Sequence, residues 1–570
     1  MRTGSIGQGA FLFALSLSVG AWAQGAQGAR GRGNGRGARG GATTATESAP
    51  AAAAAQAAVP PPAAAPAAAG RGRGGGGAPA GPNDLYDFSA AAGEIAAVRG
   101  GPPVESEQQV TVGGQSLAYT VRVGAMPINN ATSGEPEAHL FYAYYARSGA
   151  GSGGARPVAF LFGGAPGASA SWLDLGGFGP KHLNLASDGS AGLPPYRWSD
   201  NPQTLLADTD LVFVDPVGTG FSRAESPALN AKFASPLYDA ASLGEFVRSF
   251  LGQYDRWNSP RFLIGEDFGT GRVANLASYL AAHQLPVNGV AILSTAPASD
   301  ATAGDEEYMT LLPSEIMTSW YHKKLAGDLQ SLSAAQMADR ARQFASREYL
   351  HALYQGDRMT DAERSKVLAD MAHLTGLPQS FLSNNDLRVT KERYDAELLR
   401  GQHEELTPSD SRFAAYLRPG GGGRGGRGGF GAAPAAPAAD AHQELMANGF
   451  LSAYEQYLRQ DLKFSNPGIY YVQQGGTSPW TAAVSDDLSL ANAFDRDPKM
   501  QVFLGFDYFD LNSPFYAAEF TLAHLQAPES TLAHNVTTAY FPAGAMAYTD
   551  AAALSALHSD LSKFIQKAGQ

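Results

Sequence analysis

The chain has 570 residues, with 67 glycines, 35 prolines and no cysteine. It is 44% hydrophobic and 16% charged, enough for a sizeable core spread over two or three folding units or one large domain with insertions. The missing cysteine excludes disulfides, thiolate metal sites and a cysteine nucleophile, and the net charge of −12 argues against a general nucleic-acid binder.

Residues 1–23 have the form of a signal peptide. Arg2 supplies the positive start, an apolar stretch runs from Ala10 to about Ala23, and Ala21-Trp22-Ala23 fits a cleavage site. Export to the periplasm or the extracellular space is therefore expected. No later segment is long and apolar enough for a transmembrane span. Residues 24–82 are rich in Ala, Gly, Pro and Arg, as are residues 418–439. Neither tract can bury enough apolar surface to offset backbone ordering, so both read as solvated spacers. Their Arg-Gly repeats leave open an alternative in which the protein tethers itself to the cell envelope.

From residue 83 the pattern is globular. Val110–Val112 and Leu117–Val123 alternate like paired strands, and Leu140–Tyr145 continues them. Val158–Phe162 is a buried apolar strand running into Gly163-Gly164-Ala165-Pro166-Gly167. Leu211–Asp215 is another, followed by Pro216-Val217-Gly218-Thr219-Gly220-Phe221-Ser222. Arg261–Ile264 leads into Gly265-Glu266-Asp267-Phe268-Gly269, and Val287–Leu293 follows a helical stretch. Short apolar strands alternating with helices indicate an α/β fold with a mainly parallel central sheet flanked by helices. The G-x-x-x-G turn between strand and helix has the frame of a nucleophile elbow, with Asp267 at its centre. Helical patterns fill residues 300–440. One is expected to open at Pro313 with Ser314 as cap, one near Leu332, and one at Thr360 with a Thr360…Glu363 capping box. Met500–Leu504 is expected to be the last sheet strand, and Ala551–Lys567 the closing helix.

Taken together, these stretches resemble the serine carboxypeptidase family in its bacterial form, over roughly Val110 to Ile565. Besides the turns already quoted, Gly176-Gly177-Phe178-Gly179-Pro180, Arg256-Trp257-Asn258-Ser259-Pro260, Asp510-Leu511-Asn512-Ser513-Pro514 and Gly544-Ala545-Met546-Ala547-Tyr548 follow in the family's order. The resemblance implies an α/β-hydrolase fold, its core in residues 83–299 and 441–570, with residues 300–440 as a helical lid insertion.

The family's Ser, Asp and His fall on Asp267, Asp510 and Ala545. Only the acid that orients the base is kept, and Ala545 has no proton acceptor. Gly163 replaces the Asn that helps grip a substrate carboxylate, beside Gly164. Ala165 replaces an oxyanion-hole glycine, whereas the second oxyanion donor, the Phe268 N–H, is backbone and unaffected. Glu266 matches the family's carboxylate-gripping acid. Glu266, Asp267 and Asp510 are expected to crowd one pocket, where like charges raise at least one pKa.

The resemblance thus implies an exported protein without peptidase activity, binding a peptide C-terminus or a small molecule, with no metal or cofactor. One alternative is an active hydrolase that keeps the family's chemistry or uses Asp267 as nucleophile, as haloalkane dehalogenases and epoxide hydrolases do. It would need a base, and His524 and His534 do not match the family's position. Asp215 and Ser222 are expected to brace a turn, and Asp507 to be a solvated turn residue.

Overall fold

The computed structural model describes residues 101–149, 156–163, 167–226, 229, 232–266, 269–294, 304–416, 440–472 and 489–570. The expected signal segment, the first linker and the 418–439 tract lie outside them, as do Gly164, Ala165, Asp267 and Phe268.

Fourteen strands are found among the described residues. β1 (Val104–Val112), β2 (Gln115–Asn129) and β3 (Pro136–Arg147) form an antiparallel meander. Gly113 and Gly114 make its first turn, both at positive φ, which suits a two-residue hairpin. β4 (Val158–Phe162) follows, then a small ribbon of β5 (Lys181–Leu183) and β6 (Trp198–Asp200). β7 (Asp210–Val214), the short β8 (Arg223–Ala224), β9 (Arg261–Glu266) and β10 (Gly289–Leu293) come next. β11 (Glu404–Leu406) pairs with β12 (Ala414–Tyr416), and β13 (Gln501–Asp507) and β14 (Val536–Phe541) complete the set.

The large sheet has the order β1-β2-β3-β7-β4-β9-β10-β13-β14, with β8 added on β3. From β7 to β14 every neighbouring pair is parallel. Strands buried on both faces need apolar side chains at every position, which is why β4, β7 and β10 read as unbroken apolar runs. Alternate residues feed two cores. Phe160, Leu263, Val290 and Val502 join helices Pro236–Gln253 and Gly269–Ala282 on one face. Leu161, Phe262, Ala291 and Phe503 join helices Phe450–Gln460 and Ala551–Ala568 on the other. This mainly parallel sheet with helices on both faces and an antiparallel start is an α/β-hydrolase fold.

Two expectations need correction. The sheet does not end at Met500–Leu504, because β14 lies beyond β13. β14 is an edge strand whose Thr537 and Thr538 are exposed, so its sequence lacks the apolar run of a central strand. Pro313 does not open a helix. It lies inside helix Asp305–Tyr321, which starts on the acidic turn Asp305-Glu306-Glu307, and Ser314 is fully buried. Acidic residues suit a helix start, and the two turns before Pro313 are enough to establish the helix. The Thr360…Glu363 capping box is formed, and Ser333 makes another with Gln336.

Candidate active site

The register brings the motif-bearing turns to one edge. Phe162 pairs with Gly265, Glu266 with Leu293, Leu293 with Gly505, and Asp507 with Phe541. The residues that follow these strands therefore leave the sheet together at its carboxyl edge, where open α/β sheets build their sites.

Asp510 follows β13 and is 1% exposed. Its Oδ1 accepts the backbone N–H groups of Asn512 at 2.8 Å and Ser513 at 3.0 Å, which fixes the carboxylate. The loop carrying Ala545 follows β14. Backbone bonds join the two loops: Tyr508 N–H to Phe541 O and Phe509 N–H to Ala543 O, both 3.0 Å. A third segment, Pro408–Ser411, is threaded against both. The Leu511 N–H donates to Pro408 O, and the Ala545 N–H donates to Ser409 O, each at 2.8 Å. A Cβ on Gly544 would lie 2.4 Å from the Asp410 Cβ, so only glycine fits there. The loops carrying Asp510 and Ala545 are thus held side by side, and position 545 brings only a methyl.

Gly163 ends the described part of the turn after β4. A Cβ there would lie 1.9 Å from the Ser169 carbonyl oxygen, so this backbone excludes the asparagine that the family resemblance would place at this position. Arg272, on the helix after the elbow, donates to Gly163 O at 3.4 Å and pairs with buried Asp239 at 2.9 Å. Nearby, Asp215 and Ser222 tie the wall. Asp215 accepts the Ala170 N–H at 2.9 Å, while the Ser222 hydroxyl donates to Asp215 O and accepts the Phe141 N–H. Burial pushes the Asp215 carboxyl up to about 7, against the pull of the Ala170 N–H.

Glu266 is the last residue of β9 and 3% exposed. Its Oε2 accepts the Tyr548 hydroxyl at 2.8 Å. Beside them lies a cavity of about 10 Å³, lined also by Ser294 and Asp507, with room for about one water. The expectation that Asp507 is a solvated turn residue is wrong. It is the last residue of β13 and 3% exposed, and it accepts the Ser294 hydroxyl on Oδ2. Its Oδ1 is buried and accepts no hydrogen bond among the described residues. Burial pushes its carboxyl up to about 8, and the Asp410 and Glu266 charges push the same way. Asp267 lies outside the described residues, and the carboxylates that crowd Asp507 at this edge are Asp410 and Glu266. The signal was the apolar run Val502–Phe506, which carries the strand on to Asp507.

His524 and His534 are exposed, each with Nδ1 against the carbonyl four residues earlier in its own helix. Among the described residues no three His, Asp or Glu side chains form a metal cluster, and no helix is long and apolar enough to cross a membrane.

A mainly parallel sheet of this order with helices on both faces is that of an α/β-hydrolase fold. Residues 129–355 match the family model of the serine carboxypeptidases, and over that stretch the chain is serine carboxypeptidase-like. Among solved structures it is similar to KEX1(delta)p, a prohormone-processing carboxypeptidase from Saccharomyces cerevisiae, at 12% identity over 78% of this chain and 91% of that one, with a TM-score of 0.43. It is also similar to esterase E22 at 11% identity, over 78% of this chain and 99% of that one, with a TM-score of 0.32. The cell wall degrading esterase LipA from Xanthomonas oryzae matches at 13%, over 80% and 95%, with a TM-score of 0.31. No curated protein matches by sequence.

Proposed function

We propose that this is an exported serine carboxypeptidase-type protein that has lost peptidase activity. In this reading it binds a peptide C-terminus or another small ligand in the inherited pocket, beneath the helices between β10 and β13 acting as a lid. The observation that carries the reading is the pairing of a fixed, buried Asp510 with a methyl at position 545. Acyl transfer by a hydroxyl needs a base to take and return the proton, and the orienting acid cannot supply that alone. Asp267 at the elbow adds a carboxylate where the family has a hydroxyl. Gly163 and the Tyr548-bound Glu266 further weaken the expected grip on a substrate carboxylate, so a neutral or amidated end suits this pocket better than a free one.

Calorimetry with a blocked dipeptide and its amide, followed by product analysis, tests the reading. Binding without cleavage is expected. A covalent ester on Asp267, found by mass spectrometry, would overturn it in favour of an Asp nucleophile. The double variant Asp267→Ser with Ala545→His is expected to gain weak peptidase activity if the oxyanion turn is otherwise sound.

A further inference from the structure

The opposite edge of the sheet holds a second feature, independent of the carboxyl-edge pocket. β9, β10 and β13 are adjacent and parallel, so Arg261, Asn288 and Met500 sit together at their amino ends. Asn288 locks this corner. Its Oδ1 accepts the Arg261 N–H at 3.0 Å, and its Nδ2 donates to Ala568 O at 3.3 Å. Its own N–H donates to Arg261 O, and its carbonyl accepts the Gln501 N–H. The corner opens as a cleft of about 290 Å³, lined by Arg261, Asn288, Asp497 and Lys499 among others.

Arg261 is the unexplained residue. Its Nε is fully buried and has no hydrogen-bond partner among the described residues. Burial alone pushes its pKa below the ordinary arginine value, with no carboxylate offsetting it. The side chain as a whole is half-buried and lines the cleft, and no hydrogen bond or ion pair among the described residues holds its guanidinium, which leaves the fork available to an anion entering there. Lys499 adds an exposed cation without an ion pair among the described residues. Asp497 is the one lining carboxylate, and its Oδ1 accepts the Lys499 backbone N–H at 3.3 Å. The three charges leave the cleft at a net +1, and its size is near the lower end for small-molecule sites.

We propose that this cleft binds a small oxyanion, a carboxylate or a phosphate, on the Arg261 guanidinium, with Lys499 as the second cation. A planar fork of N–H donors matches either anion in two-point contact, which a lone ammonium cannot do. The carboxyl-edge site plays no part in this, so the proposal stands or falls apart from the loss of peptidase activity.

The test is titration of the full chain with inorganic phosphate and, separately, citrate, at constant ionic strength held with chloride, read by calorimetry and thermal shift. Saturable binding is expected at or below about 20 mM. Arg261→Gln is expected to weaken it at least about tenfold, and Lys499→Glu, an exposed change that leaves folding intact, at least about threefold. Tighter phosphate binding identifies a phosphate ligand, and tighter citrate binding a carboxylate. Should Arg261→Gln fail to fold, Lys499→Glu decides. No saturable binding of either anion, or binding unchanged in Lys499→Glu, overturns the proposal.

Discussion

Replacing Asp507 by Asn should change how stability depends on pH. The carboxyl is buried between β13 and the cavity shared with Glu266, and burial raises it from 3.8 to about 8. In the folded chain it keeps its proton through the pH range in which the unfolded chain has already lost its own. Its contribution is therefore fully present below about pH 4 and is lost progressively as pH rises towards 8. Each pH unit in that window costs about 1.4 kcal/mol, which amounts to about 4 kcal/mol by pH 7. Asn keeps the shape and an acceptor for the Ser294 hydroxyl but does not titrate. Urea denaturation of both proteins at pH 5, 6 and 7 isolates the effect, because Asp174 and Asp215, each raised to about 7 by burial, are common to both. Asp507→Asn should gain on the wild type by roughly 2–3 kcal/mol between pH 5 and pH 7. A difference that stays constant across this range would refute the argument that Asp507 is buried in its neutral form.

Two further outcomes follow from the same edge. Gly163→Ala should destabilise the chain by about 3 kcal/mol in chemical denaturation, because the methyl meets the Ser169 carbonyl, and Gly163→Asn should cost at least as much. Arg272→Met should cost about 3–5 kcal/mol by leaving Asp239 charged and buried, and Arg272→Met with Asp239→Leu should recover most of it. Thermal melts of the two variants check this.

The fold was legible where each residue's environment is written in its own neighbours. β4, β7 and β10 are buried on both faces, so their apolar runs could be read directly. β14 was missed because this edge strand exposes the consecutive Thr537 and Thr538, which breaks the apolar run. Helix Asp305–Tyr321 was started too late because Pro313 resembles a first-turn proline, although here the helix runs through it. Asp510 and Ala545 were read from two separate motifs, and the structure sets their loops side by side. The bond between Glu266 and Tyr548 joins residues 282 apart in the chain, and nothing local to either announces it. Asp507 was misread for a related reason. An Asp after an apolar strand is usually solvated, and only Ser294 and the neighbouring strand ends show that this one is covered.

The loss of peptidase activity is tested most directly by initial rates on blocked dipeptides with the full chain and with Asp510→Asn. The account predicts no release of the C-terminal residue above the uncatalysed rate in either protein. Turnover by the wild type that disappears in Asp510→Asn would contradict it, because the acid would then be orienting a working base that position 545 does not provide.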